Sequence, residues 1–295
     1  MTNQFRTFFL LALLSGLILF MGNILGGSAG LTIAVIIALV MNVGSYWFCD
    51  KIVLAAYKAR EVDVSDAPLL HKIVEELADN AGIAKPRVAI IPDESPNAFA
   101  TGRDPEHAVV AVTNGILHLL SPEELRGVLS HEIGHVVNRD ILVQSVAGVL
   151  ATVVMYLANF MQFAALFGGG GRNNQEGGGH GFSMIAALLM AVLAPIAASL
   201  IQFAVSRSRE YMADATGAKL SDAPASLASA LGKLDAFSRS IPMRNVNPAT
   251  ENMFIVAPVL ASFGRKSGMA SLFSTHPPVA DRIARLREMA QGRKR

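Results

Sequence analysis

Charge is scarce in this sequence. Only 16% of its 295 residues are Asp, Glu, Lys or Arg, whereas 52% are hydrophobic. Soluble domains carry about 25% charged residues, so this shortage disfavours a soluble protein and indicates an integral membrane protein. The formal net charge is only +2, which gives no basis for nucleic-acid binding.

Cysteine is almost absent. Cys49 is the single cysteine, so an intrachain disulfide is excluded. This usage fits a reducing compartment, since disulfides belong mainly to oxidising ones. A membrane scaffold built around a structural zinc is disfavoured for the same reason, because such sites usually close with four ligands rich in cysteine.

Four long apolar runs contain no Asp, Glu, Lys, Arg or His at all. A helix needs about 20 apolar residues to cross the hydrocarbon core of a bilayer. Ionisable residues within the membrane normally mark an ion or proton path, so their absence argues against a transporter or channel. We predict four transmembrane helices, over residues 7–21, 31–48, 141–167 and 182–205.

The orientation of these spans follows from the positions of Lys and Arg, which accumulate in cytoplasmic segments. Lys51 and Lys58 follow the second span, Arg139 precedes the third, and Arg207 follows the fourth. The two turns between paired spans carry almost no charge. We therefore expect both turns outside, and both termini with the long segments between Lys51 and Asp140 and after residue 205 in the cytoplasm.

The predicted spans divide the chain into four parts. Residues 1–50 form two transmembrane helices with a short outside turn, and residues 51–140 form the first half of a cytoplasmic domain. Residues 141–205 form a transmembrane hairpin with a Gly-rich outside loop, and residues 206–295 form the second half of that domain. Because the hairpin returns to the same membrane face, the two halves can meet.

The soluble halves are mainly helical, with a small β-sheet. "RVAII" and "HAVVAVT" are β-branched apolar runs typical of strands. A helix is expected from a Ser/Asp cap in "VSDAP" to Gly82, and a second opens at "SPEEL", where Ser121 and Glu124 form a capping box. The second half predicts three helices, in "SRSREYMADATGAKL", in "DAPASLASALGKLDAFSRS" and after "THPP".

The second capped helix carries "HEIGH", which predicts a catalytic zinc site. His131 and His135 lie one turn apart on the same face, so both imidazoles can bind one ion. Glu132 points about 100° around the helix, beside the ion, where it can act as a base on water. The alternative is a chance pair of surface histidines.

A catalytic zinc takes three protein ligands and keeps one position open. The longer pattern with a third histidine would need it at residue 141, which is Ile141. Of the downstream acids, Asp140 lies at the membrane entry and Glu176 lies in the outside loop. We favour Glu210, the first acid after the hairpin returns, with Asp214 one turn later as the partner of a liganding histidine. The alternative is an ordinary charged surface helix.

The ordered set of motifs resembles HtpX-type membrane zinc metalloproteases, gluzincins related to the CAAX prenyl proteases. The similarity covers nearly the whole chain: two N-terminal spans, "PNAFATG", "VVAVTNGILHLL", "LSHEIGHVVNRD", a spanning hairpin, "SRSREYMADATGA" and "STHPPVADRI". It implies a zincin-like α+β domain with one Zn²⁺ per chain, held by His131, His135 and Glu210, and Glu132 as the base. It also implies cleavage of damaged membrane proteins at the bacterial inner membrane.

Two further motifs gain a role from this resemblance. Zincins take substrate as an added strand on an edge strand, and "NAFA" is the candidate, with residues Asn97, Ala98, Phe99 and Ala100. A plain loop or a buried strand is the alternative. His276 matches the family's C-terminal His-Pro and is a candidate for stabilising the oxyanion, or else simply begins a helix. Processing of prenylated peptides is a second possible activity, although four spans are few to enclose the chamber it needs.

Overall fold

The computed structural model describes residues 3–150, 207–240, 255 and 277–292. Most of the third predicted span, the whole fourth span, the Gly-rich loop and His276 lie outside the described residues. In chain order the described helices are α1 (Asn3–Trp47), α2 (Cys49–Ala56), α3 (Pro68–Ala81), α4 (Asn114–Leu119), α5 (Pro122–Val137), α6 (Ile141–Leu150), α7 (Arg207–Ser221), α8 (Pro224–Ser240) and α9 (Val279–Ala290). The described strands are β1 (Arg60–Glu61), β2 (Arg87–Ile91), β3 (Ala98–Thr101) and β4 (Val109–Thr113).

Helix α1 is a hairpin of two apolar arms that reverses at Gly27, whose φ of 56° suits glycine. The amide of Asn42 donates to Ser15 Oγ over 2.7 Å and joins the arms. A Cβ on Gly30 would lie 2.2 Å from the carbonyl oxygen of Gly22, so only glycine permits this approach. Gly26–Trp47 is the one helix among the described residues that is long and apolar enough to cross a membrane. The count of four spans stays a prediction.

The strands form one mixed sheet in the order β1-β2-β4-β3. Strand β4 pairs in parallel with β2 and antiparallel with β3, which leaves β3 at an edge. Every residue of β4 is buried, because both faces of the sheet are covered. Helices α3, α5 and α8 enclose the larger core on one face, and α2 with Val149 of α6 covers the other.

The ends of the predicted helices are partly as expected. Helix α5 opens with the predicted capping box, in which Ser121 and Glu124 exchange side-chain and backbone hydrogen bonds. Helix α3 ends at Gly82 in the left-handed conformation, also as predicted. Its predicted Ser/Asp cap is wrong, because the N-cap position is Ala67, which makes no side-chain cap hydrogen bond. Pro68 at the first position has a preset φ and no N–H to satisfy, so the helix can start without a cap.

Helices α5 and α7 cross at a contact that small residues make possible. A Cβ on Gly217 of α7 would lie 2.8 Å from the backbone nitrogen of His131, and a Cβ on Gly134 of α5 would lie 2.9 Å from the carbonyl oxygen of Ala213. Backbone therefore contacts backbone at the level of the two histidines. The three predicted helices of the second half are present as α7, α8 and α9.

This contact generates a stability prediction. Gly217→Ala should lower the free energy of unfolding by about 1–3 kcal/mol, because its methyl group has no space between the two backbones. Gly232→Ala on α8 is the matched control: its Cβ would meet only Ile283 Cδ1 at 3.9 Å. Helix propensity should make that change neutral or stabilising by up to about 1 kcal/mol. Thermal unfolding of both variants in detergent measures the difference, and equal melting temperatures would refute the packing argument.

Candidate metal centre

Helix α5 carries two histidines and a glutamate that are buried in the described part of the chain. His131 and His135 lie one turn apart, with ring centroids separated by 4.7 Å and ring planes at 86°. Both are buried, as is Glu132 between them in sequence. The helix begins at the capping box about three turns before His131, and His135 lies in its last turn, two residues before the helix ends at Val137.

Glu210 approaches both histidines from α7. Its Oε2 lies 3.7 Å from His131 Nε2, and its Oε1 lies 3.5 Å from His135 Nε2. One ligand atom from each of the three side chains lies within 4.8 Å of the others, and all three side chains are buried. The residues predicted as a metal triad are therefore brought together in space, although 74 residues separate the first two from the third.

Each histidine has a separate carboxylate at its other ring nitrogen. Asp214 Oδ1 lies 2.9 Å from His131 Nδ1, and Asp140 Oδ2 lies 3.4 Å from His135 Nδ1. A carboxylate accepts the Nδ1 proton and leaves Nε2 as the free lone pair, which is the arrangement that metal-binding histidines use. Asp140, weighed above as a rival third ligand, thus lies on the far side of His135 from Glu210.

Arg282 on α9 is the residue at this site that the sequence reading missed. Its Nε and Nη2 donate to the two oxygens of Asp214 over 2.8 and 2.7 Å. Its Nη1 lies 3.6 Å from Glu210 Oε2. The sequence does contain an indication of a buried ion pair: the apolar face of α9 includes Ile283 and Leu286, and Arg282 lies on the same face. An arginine on a buried face requires an acidic partner.

Glu132 points towards the edge strand. The N–H of Ala100 in β3 donates to Glu132 Oε2 over 3.0 Å. Ala98, Phe99 and Ala100 all lie in β3 and are buried, and Phe99 packs on the far face of the sheet against Tyr57. Asn97 immediately precedes the strand, and its side chain accepts from the N–H of Ala98 over 2.8 Å. The predicted substrate segment therefore lies beside the predicted base.

Burial and neighbouring charges shift the proton equilibria of these groups in different directions. Burial, with a smaller effect from Arg282, lowers the pKa of His131 to about 4. Burial raises the pKa of Glu132 to about 8. Burial alone would lower the pKa of His135, but Asp140 and Glu210 raise it to about 8. Asp214 is also buried, yet the Arg282 guanidinium holds its pKa well below the usual range.

The donor set suits a zinc ion. Bonds of about 2.0–2.2 Å to nitrogen and oxygen place the ligand atoms of a tetrahedral site roughly 3.3–3.6 Å apart. The separations of 3.5 and 3.7 Å between Glu210 and the two Nε2 atoms are close to that range. Two imidazoles and one carboxylate also match the ligand set of zinc peptidases that leave one coordination position open.

Comparisons with known proteins agree with this geometry. The profile of Peptidase family M48 matches residues 65–290. A protease HtpX homolog of Syntrophobacter fumaroxidans is 55% identical over 289 residues, covering 98% of this chain and 100% of that protein. A protease HtpX homolog of Pyrococcus furiosus is 53% identical over 285 residues, covering 97% of this chain and 95% of the other.

Among solved structures, the crystal structure of S. mikatae Ste24p is similar, with a TM-score of 0.48 and 21% sequence identity. The match covers 96% of this chain and 65% of that one. A similarity of this size does not establish a common fold, so the family membership rests on the sequence matches.

Proposed function

Because the chain belongs to peptidase family M48 and is a membrane metalloprotease, we propose that it is a zinc-dependent endopeptidase with one Zn²⁺ per chain. We further propose that it cleaves misfolded or damaged membrane proteins from the cytoplasmic side of the bacterial inner membrane. The observation that carries the activity is the buried convergence of His131, His135 and Glu210, with Glu132 beside them. Membrane proteins as the substrate class are supported by the apolar helix Ile141–Leu150, which follows the HEIGH helix after a short break.

The proposed ligands are His131 Nε2, His135 Nε2 and the Glu210 carboxylate. Bound zinc would act as a Lewis acid that polarises the scissile carbonyl and makes water a better nucleophile. Glu132 would take the proton from the attacking water and pass it to the leaving amine.

The edge strand β3 is the proposed binding strand for the polypeptide substrate. Asn97 and Thr113 are joined by a backbone hydrogen bond of 2.9 Å, so in this antiparallel pair Ala98 and Ala100 point their backbone groups away from β4. An extended substrate could pair with those groups as an added strand. The Ala98 N–H now donates to Asn97 Oδ1 and the Ala100 N–H to Glu132 Oε2, so pairing with a substrate requires both hydrogen bonds to open.

His276 remains a proposed contributor to the oxyanion. Its position just before α9 supports this, since Pro277 is buried and Arg282 of the same helix reaches the metal centre. The proposed division of the chain, with the transmembrane hairpin of residues 141–205 between two halves of one cytoplasmic domain, is supported by the packing of α5 against α7.

The base generates the first functional prediction. Glu132→Gln should keep zinc but reduce peptide cleavage by about 10²–10⁴-fold or more, because an amide cannot accept the proton from water. Zinc content and turnover of casein should be measured on one preparation of the full-length protein in detergent. Near-normal turnover with zinc bound would contradict the mechanism. If the protein cleaves itself during purification, this variant should remain intact.

The third ligand generates the second functional prediction. Glu210→Ala should lose most of the zinc affinity, whereas Asp140→Ala should lose about 10–100-fold, as expected for a group that only orients His135. Glu176→Ala in the Gly-rich loop is the control and should bind zinc normally. Competition with a chromophoric chelator measures all three. Tight binding in Glu210→Ala together with loss in Asp140→Ala would mean that the wrong carboxylate was chosen.

The predicted orientation of the chain in the membrane generates the third functional prediction. In a Cys49→Ala background, a cysteine placed at Asn173 should react with an impermeant thiol reagent added outside intact cells, and one placed at Arg103 should not. Both should react after the cells are permeabilised. The opposite pattern in intact cells would place the catalytic domain outside and refute the proposed cytoplasmic site of action.

A further inference from the structure

Arg282 is the largest side chain that is fully buried among the described residues, with 0% exposure. Its Nε and Nη2 bind both oxygens of Asp214, and its Nη1 donates to the carbonyl oxygen of Ile255 over 3.0 Å. A buried guanidinium is costly unless acids compensate it. Here Asp214 provides that compensation, and Glu210 lies 3.6 Å away on the other side.

The contacts converge on one oxygen atom. Asp214 Oδ1 lies 2.7 Å from Arg282 Nη2 and 2.9 Å from His131 Nδ1. The two-pronged pairing fixes both the position and the plane of the Asp214 carboxylate, which a single contact would leave free to rotate. Arg282 Nη2 also lies 3.3 Å from His131 Nδ1 and 3.4 Å from His131 Nε2. The orientation of the His131 ring therefore depends, through Asp214 and by direct contact, on a residue of the C-terminal helix, 151 positions away.

We propose that Arg282 is a positioning residue of the metal centre: by fixing Asp214 it aligns His131 Nε2, so tight metal binding requires α9 to be docked. This inference rests on the zinc site proposed above. Arg282 has no access to substrate, because its side chain is fully buried and all three of its nitrogens are turned to protein groups. A lysine in its place would keep the charge but could not pair with both oxygens.

The test compares zinc affinity across matched variants of the full-length protein in detergent. Arg282→Lys should bind zinc about 10–100-fold more weakly than the wild type, the loss expected when the partner of a ligand is disturbed. Arg285→Lys is the control: Arg285 lies one turn further along α9 and is exposed, with its guanidinium 3.7 Å from the Tyr211 ring centroid. That variant should bind zinc like the wild type.

Two readouts separate positioning from general destabilisation. The visible absorption of the Co²⁺-substituted protein should change in Arg282→Lys and not in Arg285→Lys, because it reports ligand geometry. In addition, the loss of zinc affinity in the Asp214→Asn/Arg282→Lys double variant should be smaller than the product of the two single losses, because both residues act on the same His131 ring. Unchanged affinity and spectrum in Arg282→Lys, or independent and multiplying losses, would overturn the inference.

A further variant covers the case in which Arg282→Lys does not fold. Asp214→Leu/Arg282→Met removes one buried negative and one buried positive charge together, so the net buried charge is unchanged. It should fold and still show the weakened zinc binding, and wild-type affinity in this variant would overturn the inference. The proposed function fails in a different way: the wild type itself would then bind no zinc tightly, and Glu210→Ala would change nothing.

Discussion

The metal centre depends on how closely α5 and α7 approach each other. Glu210 stands on one helix and the two histidines on the other, so the ligand set exists only while the helix backbones remain in contact. Gly134 and Gly217 permit this, since a Cβ on either would overlap the backbone of the opposite helix. The glycine inside "HEIGH" is therefore a packing residue. The spacing of the motif places the two histidines, and the helix crossing brings Glu210 to them.

Charge balance is the second constraint on this region. The carboxylates of Glu132, Glu210 and Asp214 are all buried around the same site, and so many uncompensated negative charges would be prohibitively costly. Arg282 compensates part of that charge before any metal is considered. The fold thus holds the acids in place with a permanent cation, whose guanidinium lies 3.4 Å from His131 Nε2 and 3.6 Å from Glu210 Oε2.

The sequence predicts local features well and tertiary partners poorly. The start of α5 follows from its capping box, and the choice of Glu210 followed from the predicted membrane topology, which returns it to the membrane face of His131. Strand β1 could not be predicted, because Arg60 and Glu61 are two charged residues that become a strand only by pairing with β2. The sequence shows Arg282 as a charged residue on an apolar helix face. Its partner Asp214 lies on another helix, however, and no spacing within the sequence predicts that pair.

Contacts between the residues on either side of the long apolar segment explain how that segment can separate the ligands in sequence without disturbing the site. Asp140 precedes the excursion and Arg209 follows it, and they lie 3.7 Å apart, with Asp140 also beside His135. On the entering side, Ser145 Oγ is 2.8 Å from Thr101 Oγ1 of the edge strand. Since the entropic cost of closing a loop grows only slowly with its length, the intervening segment can vary in length at small cost once its ends are fixed. The candidate metal centre and the edge strand are thereby tied to the described residues on either side of the intervening segment.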